Sequence, residues 1–182
     1  MRNFIIILAG FLSCTLLTAQ DFSVSTNLVD YANLGTLNLE ASYGFSRHWS
    51  VGASLRYNPF TYGQGEEMKS NRLRSVAAGA RYWPWHIFSG WWLCGKLQAE
   101  EYNLGGFKSP ETSEGDRFGG GVSGGYSYML GHHFNVELGA GIWSGYNRYV
   151  VYQCPHCGKV VEKGAKFFVL PSDIMLSLSY IF

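Results

Sequence analysis

The stretch TLNLEASYGFSRHWSVGASLRYN, residues 36–58, decides the fold, because apolar and polar residues alternate along it in two runs. Odd-numbered positions are apolar in both runs, from 37 to 45 and from 49 to 57. Alternation with a period of two predicts a β-strand with one apolar face. The polar connection at 46–48 therefore predicts a hairpin of two such strands.

The same alternation recurs along the chain, interrupted by glycine and polar residues, and it predicts an all-β protein. An even number of antiparallel strands allows the first and last strands to pair, which removes both edges of the sheet. Eight strands are predicted, at residues 22–31, 36–46, 49–60, 72–84, 91–103, 117–130, 134–152 and 165–182.

The polar face of these strands is rich in glycine and serine and carries few charges. A surface that meets water normally carries more lysine and glutamate. Small residues suit a crowded interior in which side chains from all strands meet, and the apolar face then contacts lipid. The fold class predicted is an eight-stranded antiparallel transmembrane β-barrel.

Both ends of the chain predict export to an outer membrane. Residues 1–19 combine Arg2, an apolar run at 4–18 and a small residue before the cut, as in a secretory signal peptide. The barrel domain then spans 20–182. The final strand, DIMLSLSYIF at 173–182, resembles the terminal strand that the barrel assembly machinery of Gram-negative bacteria recognises. An edge strand in a secreted sandwich is the alternative.

Charge excludes one class of partner. The chain has 14 basic and 13 acidic residues, and removal of Arg2 with the signal peptide leaves 13 of each. The chain therefore has no excess of basic residues of the kind that indicates binding to nucleic acid. The partners expected are outer-membrane lipid, the assembly machinery and a protein at the cell surface.

The connections fall into two classes that alternate along the chain, as short periplasmic turns and longer external loops do. The short ones are 46–48, 86–90 and 130–133, and the long polar ones are 62–72, 105–116 and 154–164. Aromatic residues cluster at the short ends, which predicts an interfacial girdle. Its members are Phe45, Trp49, Trp83, Trp85, Trp91, Phe134, Tyr180 and Phe182.

Charged residues on the polar face predict a network of salt bridges that plugs the lumen, since a buried charge without a partner costs several kcal/mol. A narrow ion path is the alternative. Arg81 and Lys96 fall on adjacent strands and need a carboxylate from across the lumen. The network is expected to contain Glu40, Arg56, Arg81, Lys96, Glu100 and Glu137.

The motif CPHC at 154–157 has the spacing of half a zinc site, and Cys154, Cys157 and His156 are its candidate ligands. A closed structural zinc site usually needs a second pair of ligands, and Cys94 lies too deep in a strand to supply one. A disulfide between Cys154 and Cys157 is the preferred interpretation, with zinc or free thiols as alternatives. No cofactor is required for the fold.

An enzyme is not predicted. Four of the five histidines lie in short connections, and Ser144, which faces outward, has no histidine near it in sequence. A nucleophile needs a base within hydrogen-bond reach. A lipid-modifying enzyme remains as an alternative that depends on a spatial pairing.

Four stretches carry a resemblance that covers nearly all of the chain after residue 19. They are residues 25–60, RYW at 81–83, YNLGG at 102–106 and YQCPHCG at 152–158. The chain resembles an uncharacterised family, domain of unknown function 3575, whose members resemble small outer-membrane barrels of Gram-negative anaerobes. The resemblance implies the fold and the location and no activity. A structural or surface-interaction role through the three long loops is therefore expected.

Overall fold

A computed structural model describes residues 21–63, 69–106, 111–154 and 158–182, apart from the side chain of Asp173. Within these residues no helix has the length and hydropathy needed to cross a membrane. The described chain is nearly all β, with one helix, α1 (Leu28–Ala32). Its strands are β1 (Phe22–Asn27), β2 (Leu37–Ser46), β3 (Trp49–Asn58), β4 (Thr61–Tyr62), β5 (Lys69–Tyr82), β6 (Gly90–Gly105), β7 (Thr112–Met129), β8 (Phe134–Tyr152) and β9 (Val160–Ile181).

The strands form one antiparallel sheet in the order β3-β2-β1-β9-β8-β7-β6-β5-β4, and β3 also pairs with β5. The prediction of an all-β antiparallel fold is confirmed. The long strands match the eight predicted ones in order, and β4 is an addition. Three strands begin at least three residues earlier than predicted, at Lys69, Thr112 and Val160, so the long connections are shorter than the sequence indicated.

The first predicted strand, 22–31, is wrong beyond Asn27, because the chain turns into α1 there. The side-chain oxygen of Asn27 accepts a hydrogen bond from the Val29 N–H at 3.1 Å, which caps the helix. The same oxygen accepts the Leu176 N–H at 3.1 Å. An asparagine that serves the backbone in this way competes with continuation of the strand.

Burial is inverted relative to a water-soluble protein. Within the described residues, 21 polar or charged residues are buried against 10 hydrophobic ones, and 40 large hydrophobic residues are exposed. The last strand shows the pattern clearly, since Ser177 and Ser179 are buried while Leu178 and Tyr180 are exposed. The two faces of the strands therefore follow the predicted alternation. We call the buried side of the sheet the interior and the exposed side the exterior.

Large apolar side chains fill the interior at the end that carries the short connections. The cluster consists of Trp83, Ile87, Phe88, Trp92, Met175 and Ile181. Trp83 is fully buried and donates its indole N–H to Ser50 Oγ at 2.9 Å. The prediction that Trp83 belongs to an outward girdle is therefore wrong. The connection folds inward because the carbonyls of Arg47 and His48 accept the N–H groups of Ile87 and Trp83.

Candidate functional site

Arg81 of β5 lies at the centre of an interior charge network. Its Nη2 is 2.5 Å from Glu40 Oε1 of β2, and its Nη1 is 3.1 Å from Glu137 Oε2 of β8. The guanidinium also lies over the ring of Trp92, 4.6 Å from its centroid. One planar group with several donors thus joins three strands that are not neighbours in the sheet. Two of the predicted carboxylates meet the same cation.

A second pair joins Arg117 of β7 to Glu100 of β6, with 2.9 Å between Nη1 and Oε1. Arg117 also stacks over the ring of Tyr102, 3.8 Å from its centroid. Arg117 was not among the residues predicted for the network. The signal was available, because Arg117 has the same phase in the alternation as Gly119 and Ser123, which are buried.

A third pair brings helix α1 into the network. Arg56 Nε lies 3.2 Å from Asp30 Oδ2, and Asp30 was not predicted as a partner. The turn after the helix is held by buried Asn58, whose Nδ2 donates to Thr36 Oγ1 at 3.0 Å. It also donates to the carbonyl of Leu34 at 3.2 Å. These contacts fix residues 28–36 against the interior side of β3.

A cavity of about 50 Å³ lies between these groups. Arg81, Glu40 and Lys96 line it together with Cys94, which is not part of a disulfide. Its size gives room for a few water molecules and not for an organic cofactor. This part of the interior therefore holds an ion-pair network with little free space.

Cys154 is disulfide-bonded. Residues 155–157 lie outside the described part of the chain, so the pairing of Cys154 with Cys157, and the role of His156, stay predictions. Zinc binds thiolate sulfur, which an oxidised cysteine does not offer. The described residues contain no group of three or more His, Cys, Asp or Glu side chains placed to hold a metal ion.

At the short-connection end, His48 and His133 are held by main-chain carbonyls that are distant in sequence. His48 Nδ1 lies 2.9 Å from the Trp83 oxygen, and His133 Nδ1 lies 2.9 Å from the Ile181 oxygen. Each Nδ1 donates, because a carbonyl oxygen only accepts. These contacts give both rings a structural role in fixing the turns.

A second concavity, of about 660 Å³, lies at the long-connection end. We call it the rim concavity. In one register row Arg74 lies opposite Glu101, Glu101 opposite Asp116, and Asp116 opposite Arg148. All four residues are exposed, which places this row on the exterior. The intervening row, which contains Leu73, Tyr102, Gly115, Tyr149 and Gly164, has the inward phase and also lines the concavity. The row beyond it contributes Arg72, Glu114 and Lys163.

Two tyrosine–carboxylate pairs lie beside the rim concavity. Tyr152 donates its hydroxyl to Glu114 Oε1 at 2.7 Å, and Tyr149 donates to Glu162. Each carboxylate accepts a hydrogen bond from the phenol hydroxyl. This hydrogen bond stabilises the protonated tyrosine and raises the pKa of both tyrosines above the ordinary value.

A family model described as "Protein of unknown function (DUF3575)" matches residues 4–182. The chain belongs to this family. A search of curated proteins by sequence finds no match. Membership agrees with the resemblance noted from the sequence, and it assigns no activity to the DUF3575 chain, so the function has to be argued from the geometry.

Proposed function

We propose that this chain is an outer-membrane protein whose sheet closes into an eight-stranded barrel, with a structural or surface-interaction role. The observation that carries the proposal is the inverted burial, with charged and small polar groups inside and 40 large hydrophobic residues exposed. Water disfavours such an exterior, because monomeric soluble proteins rarely expose large contiguous apolar patches. Lipid favours it.

The pairing register supports closure. We start at Ser179 of β9 and step each time to the residue paired with it on the next strand. After one passage around the sheet this path returns to β9 at Phe168, which is 11 residues from the starting point. This displacement of 11 residues is about 36 Å along the strand, and the width of eight paired strands is about 38 Å. The ratio of the two lengths corresponds to a strand tilt of about 43° from the barrel axis. Closed barrels have tilts of about 35–45°. The residues passed on the way are Ser25, Glu40, Ser54, Ala77, Gln98, Gly119 and Gly145.

The exterior supports insertion in a bilayer. On β7 the outward residues from Phe118 to Tyr128 are all uncharged, and this run of ten steps is about 25 Å tall at that tilt. The apolar band of membrane barrels has about this height. Charged residues begin immediately beyond the band on four strands, at Arg74, Glu101, Asp116 and Arg148.

Aromatic side chains at the short-connection end support the same placement. Phe22, Phe134, Tyr180 and Phe182 form a chain of ring contacts with centroids 4.9–5.6 Å apart. Seven of the eight predicted girdle residues are exposed, and Trp83 is the exception. Exposed rings at this level suit a membrane–water interface.

The packing of the interior supports a plugged lumen rather than a channel. The aromatic cluster closes one end, and at the other end helix α1 is tied to the interior by the ion pair between Asp30 and Arg56. Between them Arg81, Arg117 and Arg56 each pair with a carboxylate. Two surfaces are then available for contact with other molecules. One is the apolar exterior that faces lipid, and the other is the part of the long strands β7, β8 and β9 that extends beyond the apolar band.

Two other functions stay predictions without a specific observation in their favour. Zinc binding at the CPHC motif requires reduction of Cys154, which is disulfide-bonded. A lipid-modifying enzyme requires a nucleophile and base pair, and the described histidine contacts at 48 and 133 are with main-chain carbonyls.

The test is to express the full chain in a Gram-negative host and fractionate the envelope. We expect the protein in the outer membrane, soluble only in detergent, and migrating faster on denaturing gels before boiling than after. In planar bilayers the folded protein should give no steady conductance. Recovery as a detergent-free soluble protein contradicts the membrane placement, and steady single-channel currents contradict the plugged lumen alone.

A further inference from the structure

We propose that the edge of β9 at residues 163–169 accepts an extended segment of a second polypeptide as an additional strand. The inference deepens the surface-interaction role and rests on the proposed placement, which leaves the long-connection end accessible. It starts from a difference in length between neighbouring strands. β1 pairs with β9 from Ile181 to Ser177, whereas β9 extends to Val160. Among the described residues, β8 is the one strand that pairs with the part of β9 that precedes Ser177.

Hydrogen bonds show which backbone groups of β9 point away from β8. The Leu176 N–H points toward β1, where Asn27 Oδ1 accepts it at 3.1 Å. The Ile181 N–H points the other way and donates to the carbonyl of His133 beside β8 at 2.7 Å. Backbone direction alternates along a strand, so the even-numbered residues in this part of β9 face β1.

A bulge reverses this phase farther along β9. Between the pairs made by Met175 and Ser172 with β8, the register advances two residues on β8 and three on β9. Burial changes phase at the same place, since odd-numbered Ser177 and even-numbered Phe168 are both buried. Beyond the bulge the odd-numbered residues therefore direct their N–H and C=O groups away from β8. They are Pro171, Val169, Phe167, Ala165 and Lys163.

Pro171 marks the membrane side of this edge. Proline has no N–H group to leave unpaired, and within sheets it occurs at edges and bulges. The edge with both donors and acceptors therefore begins at Val169 and runs to Lys163, which is about 20 Å of strand. We call residues 163–169, on the side away from β8, the free edge. An extended backbone supplies the donors and acceptors that match such a row.

The segment that replaces a longer β1 is held on the far side of β1 and β2 from β9. The carbonyl of Leu34 accepts a hydrogen bond from the Tyr62 hydroxyl of β4 at 3.1 Å. Asn71 Nδ2 of β5 donates to Asn33 Oδ1 at 3.5 Å. The turn between α1 and β2 is therefore tied to β4 and β5, across the end of β1 from the free edge.

Strand tilt excludes a second copy of this chain as the occupant. Copies inserted in one membrane are related by an axis along the membrane normal. Two tilts of about 43° then make their free edges cross at about 86°, whereas paired strands differ in direction by about 20–25°. The occupant is therefore a strand from a different polypeptide.

Side chains beside the free edge define the chemistry of that strand. Lys163 projects outward beyond the apolar band, and Phe167 lies in the register row of Phe118, where the band begins. Phe167 and Val169 are both largely exposed. Cross-strand pairs of opposite charge or of apolar side chains are stabilising, and lysine at an edge discourages strands that carry a like charge. The segment expected carries an acidic residue opposite Lys163 and apolar residues opposite Phe167 and Val169.

Amide exchange of the full chain in detergent micelles, followed by NMR, tests the free edge. Its four N–H groups should exchange at least tenfold faster than those of Gly164, Lys166 and Phe168, which point to β8. Equally slow exchange along the whole of residues 163–169 shows that the edge is already covered and overturns the inference.

Fluorophore-labelled synthetic peptides added to the same protein test the occupant. One peptide alternates valine and threonine around a single aspartate, a second carries lysine in place of the aspartate, and a third carries proline at alternate positions. The acidic peptide should bind at least tenfold more tightly than the basic one, and the proline peptide should not bind. Binding should slow exchange at the four N–H groups of the free edge. Lys163→Glu should reverse the preference between the acidic and basic peptides, whereas Lys69→Glu, at an exposed lysine of β5, should leave it unchanged.

The outcomes that overturn the inference differ in what they say of the proposed function. Binding without slower exchange at the free edge, or equal effects of the two lysine variants, shows attachment elsewhere by charge. Absence of peptide binding by a protein that folds only in detergent removes the strand partner and leaves the barrel intact. Recovery of a folded protein without detergent removes the membrane placement on which the inference rests.

Discussion

Replacement of Arg81 by methionine tests whether the interior network holds the fold. The change keeps a long side chain and removes the cation that faces Glu40 and Glu137. Breaking a buried pair typically costs about 3–5 kcal/mol, because a charge is left without compensation. The Glu137 side chain is 4% exposed and that of Glu40 is 23% exposed, so Glu40 can turn toward water. We expect a loss of about 3 kcal/mol, at the lower end of the range.

Urea unfolding of the protein refolded into lipid vesicles measures this loss. Trp92 stacks on the guanidinium, so tryptophan fluorescence reports the transition. The matched control is Arg74→Met, an exposed arginine of the same strand, which should change the free energy of unfolding by less than about 0.5 kcal/mol. Arg81→Met/Glu137→Gln should recover about half of the loss, because the stranded charge is gone. A loss below about 1 kcal/mol in Arg81→Met, or no recovery in the double variant, refutes the reasoning.

The remaining predictions concern packing, titration and redox state. Gly119→Ala should lower the thermal midpoint clearly, because the added Cβ overlaps a carbonyl oxygen of the neighbouring strand, whereas Gly95→Ala, with nothing within 4 Å, should not; equal midpoints contradict this. Absorbance titration should show that Glu114→Gln lowers the pKa of one tyrosine, since this carboxylate raises the pKa of Tyr152. The stability from that hydrogen bond is present below pH about 10 and is lost as the pH rises through the raised pKa. A membrane-impermeant maleimide should label Cys154 on intact cells only after treatment with a mild reductant. Labelling by the maleimide after treatment with a chelator alone would favour a bound metal instead.

Several features of the fold follow from local sequence. Period-two alternation assigns each residue of a strand to one face, because successive side chains point to opposite sides whatever the neighbouring strand is. The order of the strands, their antiparallel arrangement and the inward position of Arg81 and Glu137 could therefore be predicted. For the same local reason the exposure of the apolar face could be predicted, whereas contact of that face with lipid stays a proposal.

Only the tertiary structure decided which interior groups meet. Residues that are far apart in sequence become partners through the register of eight strands, so Arg81 reaches both Glu40 and Glu137, and Arg117 takes Glu100. The sequence carries no local record of such a stagger.

Hydrogen bonds between a side chain and residues that are distant in sequence also overrode the local pattern. Asn27 ends β1 by accepting the Leu176 N–H from the last strand, and Trp83 turns inward to reach Ser50. Alternation around the two residues predicted a longer strand and an outward ring. A buried polar group must find a hydrogen-bond partner, and here that partner was fixed by the fold rather than by neighbours in sequence.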